Sequence, residues 1–276
     1  IFSYYIFITH QSKNKIMKTI NLNSDVGEGF GVYDIGNDGD MLASVSSANI
    51  ACGFHAGDPN VMSRVIKTAK KHNVSIGAHP GFNDIWGFGR RKIYMPMDEI
   101  ETSVAYQIGA LQAMAVIENT KVTHVKPHGA LNNMSSESKD IAEAITRGIS
   151  GVDKNLILVA VAGSYLFNSG IESGLKVASE AYADRSYEDD GNMTSRQFDH
   201  AMIRNEEQAV KQVRSIVLDG IIIANSGKKI PVSVDTICIH GDEPTGPAIA
   251  SAVKEMLEKE GVVIKPLPEM QLRQQK

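Results

Sequence analysis

Lys126 and His128 stand two residues apart in "THVKPHGALNN" (123–133), with Pro127 between them and Gly129 behind. Strand side chains alternate faces with period 2, so both project from one face if the segment is extended. An ammonium beside an imidazole suits charge stabilisation coupled to proton transfer. The same kind of ending recurs along the chain. Asn23, Asp25 and Glu28 follow one apolar run; His55 and Asp58 lie in "ACGFHAGDP", and His79 in "GAHPG". "SEAYADR" sets Glu180, Tyr182 and Asp184 on one face with Arg185 beside them, and "CIHGDEP" carries His240 and Asp242.

One histidine after a strand is usually structural. Four of the chain's eight, His55, His79, His128 and His240, sit at such ends next to glycine or proline, and together they argue for a shared site. His10, His72 and His200 lack that setting, and His124 is expected to turn to the other face of its strand. Asn23, Asp25 and Glu28 also suit turn chemistry. "NLNSDVGEGFG" is glycine-rich but matches neither the dinucleotide fingerprint nor GxxxxGK[ST], so no nucleotide site is expected there. Arg90 and Arg91 in "GFGRR" read equally as a solvated loop or as a fork that clamps a carboxylate. Asp184–Arg185 reads as a substrate site or as a structural pair. Asp25, His55, His79 and His128 offer an N/O set for a metal, but no HExxH pair fixes one and the metal stays open.

Strand-like runs at 18–23, 47–52, 74–78, 122–126, 156–161, 176–182, 234–239 and 262–265 must position these groups. Helical patterns fall between them at about 60–72, 97–118, 137–149, 164–173, 205–226 and 246–259. In the second, Val104, Ile108, Leu111 and Ala115 mark one face of a 3.6-residue period, and Val210, Val213 and Val217 mark the fifth. Strands alternating with helices predict a parallel sheet. An open sheet would spread the polar ends along an edge, whereas a barrel gathers them at one mouth. The expected fold is α/β, a TIM-like (β/α) barrel of seven or eight strands.

The 276 residues are 42% hydrophobic and 22% charged, with a net charge of -4 and a pI near 6.1, which gives no reason to expect nucleic-acid binding. No apolar run approaches the ~18 residues of a membrane span. Cys52 and Cys238 are too few for a disulfide framework and read as buried thiols of a cytoplasmic protein. Residues 1–16 carry neither the basic start nor the cleavage site of a signal peptide and read as an upstream extension or artefact. Residues 17–276 then form one domain.

"NLNSDVGEGFG", "SANIACGFHAGDP", "GAHPGFNDIWGFGRR", "VKPHGALNN", "EAYADRSYEDDGN" and "CIHGDEPTGPAIA", in that order, resemble the LamB/YcsF family from Met17 to about Leu267. Its members act as the A-subunit of the prokaryotic ATP-hydrolysing 5-oxoprolinase. The resemblance implies a barrel of the glycoside hydrolase/deacetylase type. It implies turnover of 5-oxo-L-proline, ATP and water to L-glutamate, ADP and phosphate, with two partner subunits. Asn132 departs from the pattern, where an aromatic residue is expected after "HGAL".

A general base contributes about 10²–10⁴-fold, less than the 10⁶-fold or more that enzymes supply, so the lactam carbonyl needs further activation. ATP as co-substrate, handled largely by or with the partners, would provide it, as would a metal. Asp25, set against His55 or His128, is the expected base, Lys126 the oxyanion stabiliser and His240 the acid for the leaving nitrogen. Arg90 or Arg91, with Arg185 in reserve, would take the substrate carboxylate; Asn23, Glu28, His79 and Asp184 would line the substrate site. The rival readings are a metal-dependent deacetylase or amidohydrolase acting alone, and a non-catalytic lactam-binding subunit.

Overall fold

A computed structural model describes residues 18–274 except Asp34; the expectations for residues 1–16 and for Met17 as a strand start lie outside them. The strands are β1 (Thr19–Val26), β2 (Ser47–Ala51), β3 (Ser75–His79), β4 (Val122–Val125), β5 (Ile157–Val161) and β6 (Lys176–Tyr182). They are followed by a hairpin, β7 (Ile221–Ile223) and β8 (Lys229–Pro231), then β9 (Thr236–Cys238) and β10 (Val263–Ile264). Among the described residues, β1 to β6 pair in sequence and in parallel, and β9 pairs with both β6 and β1. The result is a closed seven-stranded parallel barrel.

β10 is not an eighth stave. Val263 and Lys265 donate to the Lys18 and Ile20 carbonyls, and Ser46 donates to that of Leu22. Even-numbered carbonyls of β1 face one edge, so β10 and β2 share that edge end to end. Beyond β10, Leu267 packs on Ile157, Val159 and Ala178 and plugs the bottom of the barrel.

The helices are α1 (Asp38–Ser44), α2 (Pro59–Lys71), α3 (Met97–Ile117), α4 (Gly129–Glu137), α5 (Lys139–Val152), α6 (Tyr165–Glu172), α7 (Glu206–Arg214) and α8 (Gly246–Lys259). α2 starts at Asp58, whose carboxylate accepts from Asn60 and Val61, with Pro59 at the first helical position. On α3 the predicted stripe Val104, Ile108, Leu111 and Ala115 is fully buried. The helix expected over 205–226 is shorter: α7 passes at Arg214 into a π-helical turn over Ser215–Asp219 that Gly220 ends in the left-handed region, and the β-branched run Ile221–Ile223 pairs with Lys229–Pro231. α1 and α4 have no counterpart among the predicted helices. No helix among the described residues is long and apolar enough to cross a membrane.

Branched aliphatic side chains usually fill such a barrel. Here the lumen is largely polar. Thr236 donates to Asn21 (2.6 Å), Asn23 to Thr236 (2.7 Å) and to Glu180 (2.9 Å), and Asn49 to Asn23 (2.7 Å). His124 belongs to this column, its Nε2 3.1 Å from the Asn49 Oδ1. The expectation that His124 faces away is therefore corrected: positions 124, 126 and 128 share the inward face. A bulge sets β4 against β3, Ile76 opposite Val122 and Gly77 opposite His124. A Cβ on Gly77 would fall inside the His124 ring, so only glycine admits it.

Candidate active site

The carboxyl ends of the strands open on a cavity of about 680 Å³. Eight predicted residues line it: Asp25, Glu28, His79, Arg90, Lys126, His128, Arg185 and His240. Asn23 lies beneath the floor, bonded to Glu180 and Thr236. Arg91 is not brought to the site; it turns out to solvent and pairs with Asp84, the cap of the short turn at Ile85–Gly87.

Lys126 forms the floor, 2% exposed. Its Nζ lies 3.0 Å from Asp25 Oδ1, 3.1 Å from Glu180 Oε1, 3.0 Å from Cys238 Sγ and 3.3 Å from Asn23 Oδ1. Burial opposes its charge, but the Asp25 and Glu180 carboxylates hold its pKa well above the ordinary value. The ammonium's three donors are thus engaged by protein groups. Burial would raise Asp25, yet His79 and Lys126 hold its carboxyl well below the usual range. Its Oδ1 also accepts from Asn49 (2.8 Å), while Oδ2 lies 3.2 Å from His79 and 3.8 Å from His240.

Asp184 stands behind His240 and orients it rather than facing the cavity. Its carboxylate accepts from the His240 backbone N–H (2.8 Å) and lies 2.9 Å from the ring Nδ1. The Nε2 is thereby presented to the cavity, and stacking on Tyr182 (5.7 Å between rings) fixes the plane. Burial works against the Asp184 charge, but the His240 bonds keep its pKa below the ordinary value.

Three histidines and Glu28 converge on the opposite side. His79 Nδ1 donates to the Lys126 carbonyl (2.6 Å), and His128 Nε2 donates to the Phe88 carbonyl (2.8 Å). Those acceptors turn His79 Nε2 and His128 Nδ1 toward each other at 3.0 Å. His55 lies behind His128, stacked on it at 3.6 Å and 4°, with Nε2 3.2 Å from Glu28. Burial, and in each case a neighbouring imidazole, depresses the pKa of His55 and His128. Burial and the nearby Asp25 raise that of Glu28. The loop after β3 is held by Gln107 of α3, which bonds both the N–H and the carbonyl of Gly81. Gly89 lets "GFGRR" cross the histidines: a Cβ there would sit 2.7 Å from His55 Cβ and 2.8 Å from His128 Cδ2.

The outer wall is cationic. Arg90 reaches Asp242 (2.7 Å), and Arg185 donates to the Thr194 carbonyl (2.6 Å) while its buried Nε has no partner among the described residues. Arg196, which sequence reasoning missed, joins them. Burial lowers the pKa of Arg185 and Arg196, and so does repulsion from a neighbouring guanidinium, Arg196 for the first and Arg90 for the second. Three guanidinium groups on one wall give that side of the cavity a chemistry that attracts anions. Asn132, at the departure from the family pattern, presents an amide to the cavity 3.4 Å from the Tyr182 hydroxyl. Asp58 serves as the α2 cap and also accepts from Gly31 (2.7 Å).

Two donor sets could take a metal: Glu28, His55, His79 and His128, and the looser Asp25, Cys238 and His240. Neither cysteine is a ready nucleophile. Burial pushes the Cys52 thiol to about 12 and Cys238 well above its ordinary value.

The sequence profile of the LamB/YcsF family matches residues 20–272. The chain is 47% identical over 251 residues to the 5-oxoprolinase A-subunit of Natranaerobius thermophilus, covering 91% of this chain and 98% of that protein. It is 49% identical over 245 residues to that of Staphylococcus carnosus, covering 89% and 97%. The crystal structure of a lactam utilization protein from Thermus thermophilus superposes with a TM-score of 0.86 at 38% identity, covering 90% of this chain and all of that one.

Proposed function

The chain belongs to the LamB/YcsF family, and on that premise we propose that it is the lactam-opening component of a cytoplasmic, ATP-hydrolysing 5-oxoprolinase. It would work with two other subunits to convert 5-oxo-L-proline into L-glutamate. The names of its relatives, 5-oxoprolinase A-subunit and lactam utilization protein, support a role in 5-oxoprolinase. The observation that carries the reading is the division of one cavity into an arginine wall and an acid–base wall. Arg185 and Arg196 face the same space as Asp25 and His240.

Arg185, with Arg196 beside it, takes the substrate carboxylate, the one charge a five-membered lactam acid carries. The amide carbonyl then lies toward Asp25 and His240, whose Oδ2 and Nε2 are 3.8 Å apart. Asp25, kept ionised by Lys126 and His79, orients the attacking water. His240, aligned by Asp184, takes that water's proton and returns it to the ring nitrogen as the C–N bond breaks. Lys126 is a positioning residue in this scheme: it secures the charge of Asp25 and does not meet the developing oxyanion. Transfer of the ATP γ-phosphoryl group to the lactam oxygen, with ADP leaving, would make the carbonyl carbon more electrophilic, and that phosphate would leave after water has added. The sequence lacks a GxxxxGK[ST] loop, which supports a nucleotide held largely by or with the partners.

The test is glutamate release from 5-oxoproline, with and without ATP, by this chain alone and mixed with the partner subunits. Release confined to the ATP-containing mixture is expected. No release in any mixture, with partners folded and associated, would overturn the proposal. Release by the chain alone without ATP would favour independent amide hydrolysis.

A further inference from the structure

We propose that Glu28, His55, His79 and His128 form a binding site for a single divalent transition-metal ion, of which zinc fits the donors best. The four donor atoms lie within 4.8 Å of one another. The pairs of Glu28 Oε1 with His55 Nε2, with His128 Nδ1 and with His79 Nε2 are 3.2, 3.4 and 4.0 Å apart. The two facing histidine nitrogens are 3.0 Å apart. A tetrahedral ion at about 2.0–2.1 Å from each ligand spaces its ligands about 3.3 Å apart, so only small side-chain shifts are required. Three imidazoles and one carboxylate are borderline-hard N/O donors, the chemistry that zinc takes up and calcium or magnesium does not.

The tautomers agree with ligation. Backbone carbonyls of Lys126 and Phe88 accept the N–H on the outer side of His79 and His128. Each ring, when neutral, then turns a lone pair inward, the arrangement by which outer partners orient metal-ligating histidines. The two facing nitrogens, 3.0 Å apart, must share a proton or a cation, and His79 Nε2 also lies 3.2 Å from Asp25 Oδ2; a metal ion would supply positive charge to all four donors at once. The His55 Nδ1 has no partner among the described residues, so the ring is held by its stacking on His128 and by the contact of its Nε2 with Glu28. Glu28, His79 and His128 also line the cavity, which gives the ion an entry path. Ion binding is claimed independently of the lactam reading, which glutamate release tests separately.

The experiment uses the full chain free of any affinity tag, stripped with a chelator and then titrated with zinc and with cobalt(II). One zinc per chain by elemental analysis is expected, with the intense visible absorption of four-coordinate cobalt and a raised Tm. His55→Gln and His128→Gln should each weaken zinc binding more than about 100-fold, beyond the 10–100-fold that loss of an outer-shell partner costs, whereas His72→Gln on the surface should not. Should either variant fail to fold, X-ray absorption of the wild-type zinc complex decides by its count of imidazole ligands. Folded wild-type protein that takes up well under one ion per chain in excess zinc overturns the site. So does an ion that the His55 and His128 variants bind as tightly as wild type, or one without histidine ligands.

Discussion

Replacing Lys126 with methionine removes one charge and almost no volume, so it isolates what the ammonium does at the barrel floor. In the wild type the Nζ lies 3.0 Å from Asp25 and 3.1 Å from Glu180, both within the lumen. Methionine fills the same channel and leaves little cavity, so the cost is that of two carboxylates losing their cation. Removing one partner of a buried pair costs about 3–5 kcal/mol. Asn49 still donates to Asp25 and Asn23 to Glu180, which favours the lower half of that range. For a chain of this size each kcal/mol moves Tm by about 2–4 °C, so Lys126→Met should melt about 6–15 °C below wild type at neutral pH. Adding Glu180→Gln removes one stranded charge and should recover part of the loss, with a coupling energy of about 1–3 kcal/mol. Calorimetry and urea unfolding of the four proteins measure both quantities. A Tm within about 2 °C of wild type for the single variant would refute the argument, because surface-like pairs cost that little.

Arg185→Gln should raise KM for 5-oxoproline in the assembled enzyme by about 10–100-fold, the worth of a charge-assisted bond to a carboxylate, while Arg91→Ala should leave KM unchanged. Steady-state kinetics on the two variants distinguishes them; equal effects would remove the distinction between the arginines. Asp184→Asn should lower kcat about 10²–10⁴-fold with little change in KM, because His240 loses the acceptor that fixes its ring. Asp184 has a folded pKa below its unfolded one, so it contributes stability above the unfolded value of about 3.9 that is lost as pH falls through the folded value. The stability gap between wild type and Asp184→Asn should therefore be full at neutral pH and close below about pH 4; a gap independent of acid would contradict it. Gly77→Ala should cost about 1–3 kcal/mol by displacing the His124 ring, measured by chemical denaturation, and an unchanged midpoint would show that the ring moves freely.

The barrel was legible because the parallel strands are apolar runs and most end at ionisable groups, with glycine or proline close by after β1, β2, β3, β4 and β9. Positions 19–26, 47–51, 75–79 and 122–125 follow the predicted runs to within a few residues. His124 lay within reach too, since alternation carries 124, 126 and 128 on one face. The polar lumen was harder to see. Asn21, Asn49 and Thr236 read as ordinary strand residues until closure brings positions 215 apart in sequence within 2.6 Å. Loops carry no period, so nothing told Arg90 from its neighbour, and nothing drew Arg196 to the wall from a segment of mixed polar residues. The family motifs identified Asp184, but only the path of the chain after β6 showed it behind His240 and not against substrate. The hairpin was hidden because Ile221–Ile223 continues the apolar content of a helix.

The closing seam of the barrel bears on how the protein is made. β1 is synthesised before the other strands of the barrel, yet its β9 partners lie about two hundred residues downstream, the Asn21–Thr236 bond spanning 215 positions. At 5–20 residues per second, β1 waits roughly 10–40 s with that backbone edge bare. Bare edges invite pairing with other chains, most of all when flat and apolar. On β1 the inward face offers Asn21, Asn23 and Asp25, groups that water solvates well until Lys126 and Thr236 arrive. While that edge is bare, β1 is apolar on one face only, through Ile20, Leu22 and Val26, whereas an aliphatic barrel interior would make it apolar on both.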